Sequence, residues 1–247
     1  MIGVRTHARH KADNPAPAFA GNSSRVHLHA FIARAAASVP AGGLVLDAGA
    51  GPCWHAPQFA HACYEAADMR QVEGAYRPVD YVCDLSALPV EDDRFALILM
   101  TQVLEHVPEP GAVLSELYRV LEPGRALWLS APLFYQEHEQ PYDFFRYTQF
   151  GLRHLLDRAG FVVEELDWLE GYFGTLAYEL RMAMGALPST SAQFGGGLRG
   201  ALWAQAARLA RPCGQALAHG LADLDVRHRL TDRGMPKNYV VVARKPG

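Results

Sequence analysis

Apolar residues in this chain form two kinds of pattern that take turns along its length. Short continuous or alternating runs predict β-strands at Leu44–Leu46, Ala62–Ala67, Val79–Cys83, Phe95–Met100, Ala126–Ala131, Phe161–Trp168 and Asn238–Ala243. Phe95–Met100 is almost unbroken, as a central strand covered on both faces requires. Other apolar residues recur at helical spacing: Val26, Phe31, Ile32 and Ala35 after an expected Ser24 N-cap, then Val113, Leu114, Leu117, Val120 and Leu121, then Leu152, Leu155, Leu156 and Ala159 after Thr148. Pro40 with Gly42 and Gly43, Glu122-Pro123-Gly124 and Gly160 close these helices. Strands alternating with helices predict an α/β fold, a mostly parallel seven-stranded sheet with helices on both faces. Ligands of such sheets sit beyond the carboxyl ends of the strands, and the first helix is expected to cover that end.

The first strand runs into Asp47-Ala48-Gly49-Ala50-Gly51-Pro52. Glycines permit a tight bend and let bare backbone approach a ligand. A dinucleotide fingerprint would place a third glycine five residues after Gly49, against a pyrophosphate, but Trp54 stands there. The bend therefore suits a nucleoside ligand without a diphosphate. Asp68, 19 residues beyond Gly49, is near the offset at which a second-strand carboxylate reaches ribose hydroxyls. Glu65 is its rival for that role, and a surface aspartate at a strand end is the plainer alternative. Asp47, Asp68, Asp84 and Gln102 all fall at strand ends and are expected to converge on one crevice.

The hydrophobic-Asp-x-Gly-x-Gly pattern resembles the first motif of the class I S-adenosylmethionine-dependent methyltransferases, in the small-molecule, methyltransferase type 11-like branch. Leu104-Glu105-His106 after the fourth strand resembles a second feature of that family. The resemblance covers roughly residues 42 to 169 and 237 to 244. It implies a Rossmann-like core whose seventh strand inserts antiparallel, with S-adenosyl-L-methionine as cofactor. It also implies that Asp84 accepts a hydrogen bond from the adenine amine while Leu85 packs on the ring; a turn cap is the alternative for Asp84. Asp47, Gly49, Gly51, Asp68, Met69, Thr101, Gln102 and His106 complete the cofactor set. Ala96 departs from the family, which often has Asp there. Glu105 and His106 either form an acid/base pair or build the loop over the methionine end.

The stretch from Leu133 to Thr148 is dense in aromatic and titratable residues and follows the fifth strand, where a loop overlies the substrate. It resembles a subset of the family associated with sugar or natural-product modification. His138 is the expected general base, oriented by Asp143, for methyl transfer to a hydroxyl. Tyr135, Tyr142, Arg146 and Tyr147 are the expected substrate contacts. Alternatively, His138 is a solvated loop residue, Asp143 and Arg146 pair to shape the loop, and the tyrosines belong to the core.

Some 65 residues before the last strand exceed what the core needs. Tyr172–Leu187 predicts one helix, Ser189–Gly197 a flexible link, and Leu198–Arg229 further helices broken at Pro212. Their leucines and Trp203 are expected to pack on the core as a cap or against a second copy in a homodimer. A membrane-surface role competes through Arg199, Arg208 and Arg211 but is weakened by the sparse basic face. The expected organisation is an arm and covering helix over 1–41, a cofactor-binding core over 42–169, a helical cap over 170–236, and the last strand and tail over 237–247. Residues 1 to 21 lack periodicity and read as a mobile arm.

Composition narrows the function classes. Half of the 247 residues are hydrophobic, and a net charge of -3 with scattered basic residues argues against nucleic acid as partner. Four cysteines without paired spacing predict neither a zinc site nor a disulfide framework, and no metal is expected. Met1–Lys11 is basic without a signal-like apolar stretch, so a cytoplasmic location is expected. The reading is a methyltransferase acting on a small-molecule hydroxyl, of a sugar or a secondary metabolite. The alternatives are a non-catalytic cofactor-binding member working through a protein partner and, less favoured, a nicotinamide-dependent oxidoreductase.

Overall fold

The computed structural model describes residues 21–69 and 78–247, so all of the expected mobile arm except Gly21 lies outside the described residues. The chain divides into two compact units. One comprises Leu28–Leu169 with Asn238–Gly247, the other Glu170–Lys237 with the described residues before Leu28.

The first unit is built on a seven-stranded sheet. Its strands are β1 (Leu44–Ala48), β2 (Cys63–Asp68), β3 (Tyr81–Val82), β4 (Phe95–Thr101), β5 (Leu121–Pro132), β6 (Val162–Trp168) and β7 (Asn238–Arg244), in the order β3-β2-β1-β4-β5-β7-β6. β7 runs antiparallel to both β5 and β6, and the other pairings are parallel. Strand order reverses at β1 and β4, which pair Val45 with Leu97 and Asp47 with Leu99. That reversal opens a crevice at the carboxyl ends of β1 and β4.

Helices cover both faces. On one, α1 (Ser23–Ala37) lays Phe31, Ile32 and Ala35 against Val45, Leu97, Leu99 and Trp128, with the Phe31 and Trp128 rings 4.9 Å apart. On the other, α2 (Pro110–Val120) and α3 (Gln149–Arg158) bury Leu114, Leu117, Leu152 and Leu156 against Leu46, Ile98 and Leu129. Thr148 caps α3 as expected, its hydroxyl accepting from the Gly151 N–H at 3.2 Å. Two expectations are corrected. α1 covers a face of the sheet, because its apolar stripe meets the side chains of β1, β4 and β5 and not their ends. Its cap is Asn22, whose Oδ1 accepts from Arg25 N at 3.3 Å, while Ser24 is already inside the helix.

The second unit contains α4 (Tyr172–Ala186) and α5 (Gly197–Arg227). The expected break at Pro212 is absent: α5 is one 31-residue helix. Proline costs a helix one hydrogen bond, and here close packing of small residues offsets it. Gly200, Ala204, Ala207, Ala218 and Ala222 form the buried face of α5. A Cβ at Gly214 would lie 2.2 Å from Met184 Sδ, so a larger residue there would have to push the Met184 side chain of α4 aside. No helix among the described residues is long and apolar enough to cross a membrane.

Candidate active site

At the tip of β1 the chain turns through Gly49 (φ +80°) and Gly51 (φ +48°). Gly49 N donates to Ala67 O at 2.8 Å, and Gly51 N donates to Asp68 Oδ2 at 2.9 Å, so the glycine bend and the end of β2 form one rim. A Cβ on Gly49 would lie 2.4 Å from Val103 Cγ2, whereas a Cβ on Gly51 would have nothing within 4 Å. Gly49 is thus a packing necessity, and Gly51 exposes bare backbone to open space.

Behind the rim lies a set of buried acids. Asp47, 1% exposed, accepts from the Tyr64 hydroxyl, and burial together with the Asp47 charge raises the Tyr64 pKa well above its ordinary value. Asp80 Oδ2 accepts from Ala66 N at 2.9 Å. Glu65 accepts from the Tyr81 hydroxyl at 2.6 Å and from Arg94 Nη2 at 2.9 Å. These bonds hold Glu65 in the core, which removes it as a rival to Asp68. On the other side of the crevice, Thr101 Oγ1 lies 3.3 Å from His55 Nε2 of the glycine loop. Gln102, at φ +55°, donates from Nε2 to Ser130 Oγ at 3.0 Å and ties the bend after β4 to β5. Met69 is exposed at the end of β2.

The acid after β3 behaves differently from expectation. Asp84 Oδ1 accepts from both Ser86 N and Ser86 Oγ at 2.8 Å, which closes its own turn, and Leu85 is buried in the core. The turn cap, offered above as the alternative for Asp84, is present.

The loop after β5 is locked from within. Arg146 uses all five of its N–H donors: Nε to Tyr135 O, Nη1 to Asp143 Oδ1 and Phe145 O, and Nη2 to Asp143 Oδ2 and Gln136 O. The expected substrate contact by Arg146 is therefore corrected to a structural one, since no donor is left over. The guanidinium, aided by His138 N donating to Asp143 Oδ2 at 2.8 Å, holds the Asp143 carboxyl well below the usual carboxylate range against the opposing effect of burial. His138 Nδ1 stands 3.3 Å from the same Oδ2, an ion-pair distance without hydrogen-bond geometry. The His138 ring meets those of Tyr135 and His106 edge-on at 4.9 and 4.6 Å.

His106 Nδ1 is 2.7 Å from Tyr142 O, so its ring N–H donates there and Nε2 faces Glu105 Oε1 at 3.9 Å. Glu105 is fully buried with neither carboxyl oxygen hydrogen-bonded, and burial pushes its pKa up to about 8 despite Arg146 nearby. Glu105, His106 and His138 each bring one ligand-type atom within 4.8 Å of the others, a trio that could hold a metal ion. Tyr147 is corrected from substrate contact to core: it is 5% exposed and donates to Leu104 O at 2.8 Å.

Sequence reasoning brought the glycine bend, Asp68, Thr101, Gln102, His106, His138 and Asp143 into the discussion, but missed His55 and Asp80. His55 lies just after the glycine bend, where no sequence pattern singles it out. Asp80 carried one signal, a carboxylate inside an otherwise apolar strand, which inside a protein must be bonded.

A mostly parallel sheet whose order reverses at β1 and β4, with a glycine bend at that reversal and acids at the strand tips, is the arrangement of the Rossmann-like methyltransferase fold. The chain is similar to proteins of the S-adenosylmethionine-dependent methyltransferase family. Residues 46–129 match the family model described as a methyltransferase domain. A Mycolicibacterium smegmatis protein described as a probable S-adenosylmethionine-dependent methyltransferase is 31% identical over 139 residues, 51% of this chain and 54% of that protein. An uncharacterized methyltransferase of Mycobacterium tuberculosis is 34% identical over 101 residues, 37% of this chain and 40% of that protein. The chain thus spans about half the length, or less, of the curated relatives it matches. Among solved structures, the [4+2]-cyclase SpnF matches with a TM-score of 0.55 at 19% identity, covering 95% of this chain and 85% of that one. Burkholderia thailandensis 1,6-didemethyltoxoflavin-N1-methyltransferase, with bound 1,6-didemethyltoxoflavin and S-adenosylhomocysteine, matches with a TM-score of 0.51 at 18% identity, covering 91% and 79%. At these identities the structural likeness speaks to the fold.

Proposed function

We propose that this protein transfers the methyl group of S-adenosylmethionine to a hydroxyl of a small molecule, a sugar or a secondary metabolite, and that it works in the cytoplasm as a homodimer assembled through the helical insertion. One observation carries the reading of the acceptor. Asp143, clamped by Arg146 and kept ionised, stands 3.3 Å from His138 on the loop after β5. Methyl transfer to a neutral amine needs little more than positioning, because its nitrogen is nucleophilic enough to attack and the ammonium formed loses its proton to solvent afterwards. A hydroxyl gains from a base that takes its proton as the oxygen attacks. A neutral imidazole backed by a fixed carboxylate is such a base, and the cation it becomes is stabilised by the same carboxylate.

In this reading the main chain at Gly49 and Gly51 lies along the cofactor, Asp68 takes ribose hydroxyls, and Thr101, Gln102 and His106 line the methionine end. Tyr135 and Tyr142 contact the acceptor. Trp54, 41% exposed where a dinucleotide fingerprint needs glycine, disfavours a nicotinamide cofactor. The test incubates the protein with S-adenosylmethionine and a panel of hydroxylated, amino and carbon-acid small molecules, with product masses read by mass spectrometry. Methylated products confined to the hydroxylated members support the reading, and methylation of amines alone contradicts it. A second reading, cofactor binding without methyl transfer, is prompted by a cyclase among the fold neighbours. Binding of the cofactor with no methylated product anywhere in the panel would favour it.

A further inference from the structure

The face of α5 turned away from α4 carries a pattern with no use in either the fold or the cofactor site. Leu202, Ala206, Leu209, Cys213, Leu217, Gly220 and Leu224 follow one another in steps of 4, 3, 4, 4, 3 and 4 residues, the spacing of a single stripe along a helix. The stripe extends about 33 Å at the usual rise per residue. It is exposed at every step: Leu202 by 63%, Leu209 by 64%, Leu217 by 57% and Leu224 by 37%. No charged side chain interrupts it between Leu202 and Leu224; Arg208, Arg211 and Asp223 project from the other sides of the helix.

The spacing reads the same in either direction from Cys213, and so does the order of large and small side chains, with Ala206 on one side answering to Gly220 on the other. A second copy of α5 laid antiparallel, with the two-fold axis at Cys213, sets Leu209 beside Leu217, Ala206 beside Gly220, Leu202 beside Leu224, and Cys213 beside its own counterpart. Layers of paired leucines then alternate along the contact with layers of small residues at Cys213 and at Ala206 with Gly220, where the axes can approach closely. A symmetric dimer requires a patch complementary to itself, and this stripe meets that condition. With Leu198 and Trp203 flanking the stripe, its leucines bring the exposed apolar area to roughly 700 Å², approaching the about 800 Å² per partner of a stable interface. Among the described residues nothing covers this face.

We infer that α5 forms the homodimer contact by pairing antiparallel with α5 of a second copy about an axis through Cys213. This rests on the homodimer proposed above and specifies its face and register. The test has two arms, both on the full chain. Light scattering with size-exclusion chromatography is expected to give a dimer, and Leu209→Glu is expected to convert it to a monomer with unchanged circular dichroism and melting temperature. In a Cys63→Ser background, which removes the other exposed thiol, a short bismaleimide is expected to yield a covalent dimer linked through Cys213, and none when Cys213→Ser is added. A dimer that survives Leu209→Glu and is not linked through Cys213 overturns the face and register while leaving the homodimer standing. A monomeric parent protein overturns both.

Discussion

Replacing His138 by alanine is expected to lower the turnover of a hydroxyl acceptor by about 100- to 10,000-fold, the range that a positioned general base supplies. Cofactor affinity should stay within twofold, because in the proposed site His138 serves the acceptor. The loop should keep its shape. Its lock runs from Arg146 to Asp143 and to the backbone oxygens of Tyr135, Gln136 and Phe145, and it holds His138 through the main-chain N–H, which alanine retains. Asp143→Ala would be a poorer probe, since it also strips the guanidinium of its partner. Single-turnover rates with saturating cofactor, read beside the melting curve, separate chemistry from stability. A rate within twofold of the parent protein would remove His138 from the chemistry and leave positioning as the whole contribution of the loop.

Gly49→Ala should be the most damaging single methyl in the cofactor loop. The backbone there has φ +80°, which costs an L-residue roughly 1 to 2 kcal/mol. The added carbon would also lie 2.4, 2.6 and 3.0 Å from the Cγ2, Cγ1 and Cβ of Val103. A β-branched side chain cannot swing aside freely. Relief must come from moving the segment that carries Gln102 and Leu104, and overpacking of this kind costs about 1 to 3 kcal/mol. The combined expectation is a loss of about 2 to 5 kcal/mol in denaturant-measured stability, with cofactor affinity weakened by more than tenfold. Adding Val103→Ala should recover part of the stability, the part due to the clash and not to φ. Gly51→Ala should behave differently. Its Cβ meets nothing within 4 Å, so stability should fall only by the roughly 1 to 2 kcal/mol that φ +48° costs an L-residue, with no part that Val103→Ala recovers, while the methyl intrudes on the ligand's space. Equal behaviour of the two variants would mean that the bend is only a connection.

The contrast between these glycines shows which parts of the molecule were legible in the sequence. Strand and helix order could be read directly, because Phe95–Met100 and its neighbours are apolar runs with one plausible use, and the alternation with helices leaves few topologies. Gly49, Gly51 and Asp68 were legible because a bend that needs two glycines and a carboxylate at a fixed offset constrains the sequence locally. The fate of Asp84 was less legible: an aspartate two residues before a serine can serve a ligand or its own turn, and the side-chain hydrogen bonds decide. Arg146 was ambiguous for a related reason, as no sequence pattern reveals that five carbonyl and carboxylate acceptors surround one guanidinium. Pro212 misled because the cost of a proline is set by what the rest of the helix buries, and the small residues facing α4 are spread over a 31-residue helix. His55 was hidden altogether, since its partner Thr101 lies 46 residues away.

The account rests on one ligand held at the carboxyl ends of β1, β2 and β4. Isothermal titration of the full chain with S-adenosylmethionine tests it most directly, with Asp68→Ala run beside the parent protein. The account predicts one site per chain and an affinity weakened by roughly tenfold or more in the variant, the value of one lost charged hydrogen bond of about 1.5 to 3 kcal/mol. No heat with the parent protein, or the same affinity with and without the Asp68 carboxylate, would contradict it.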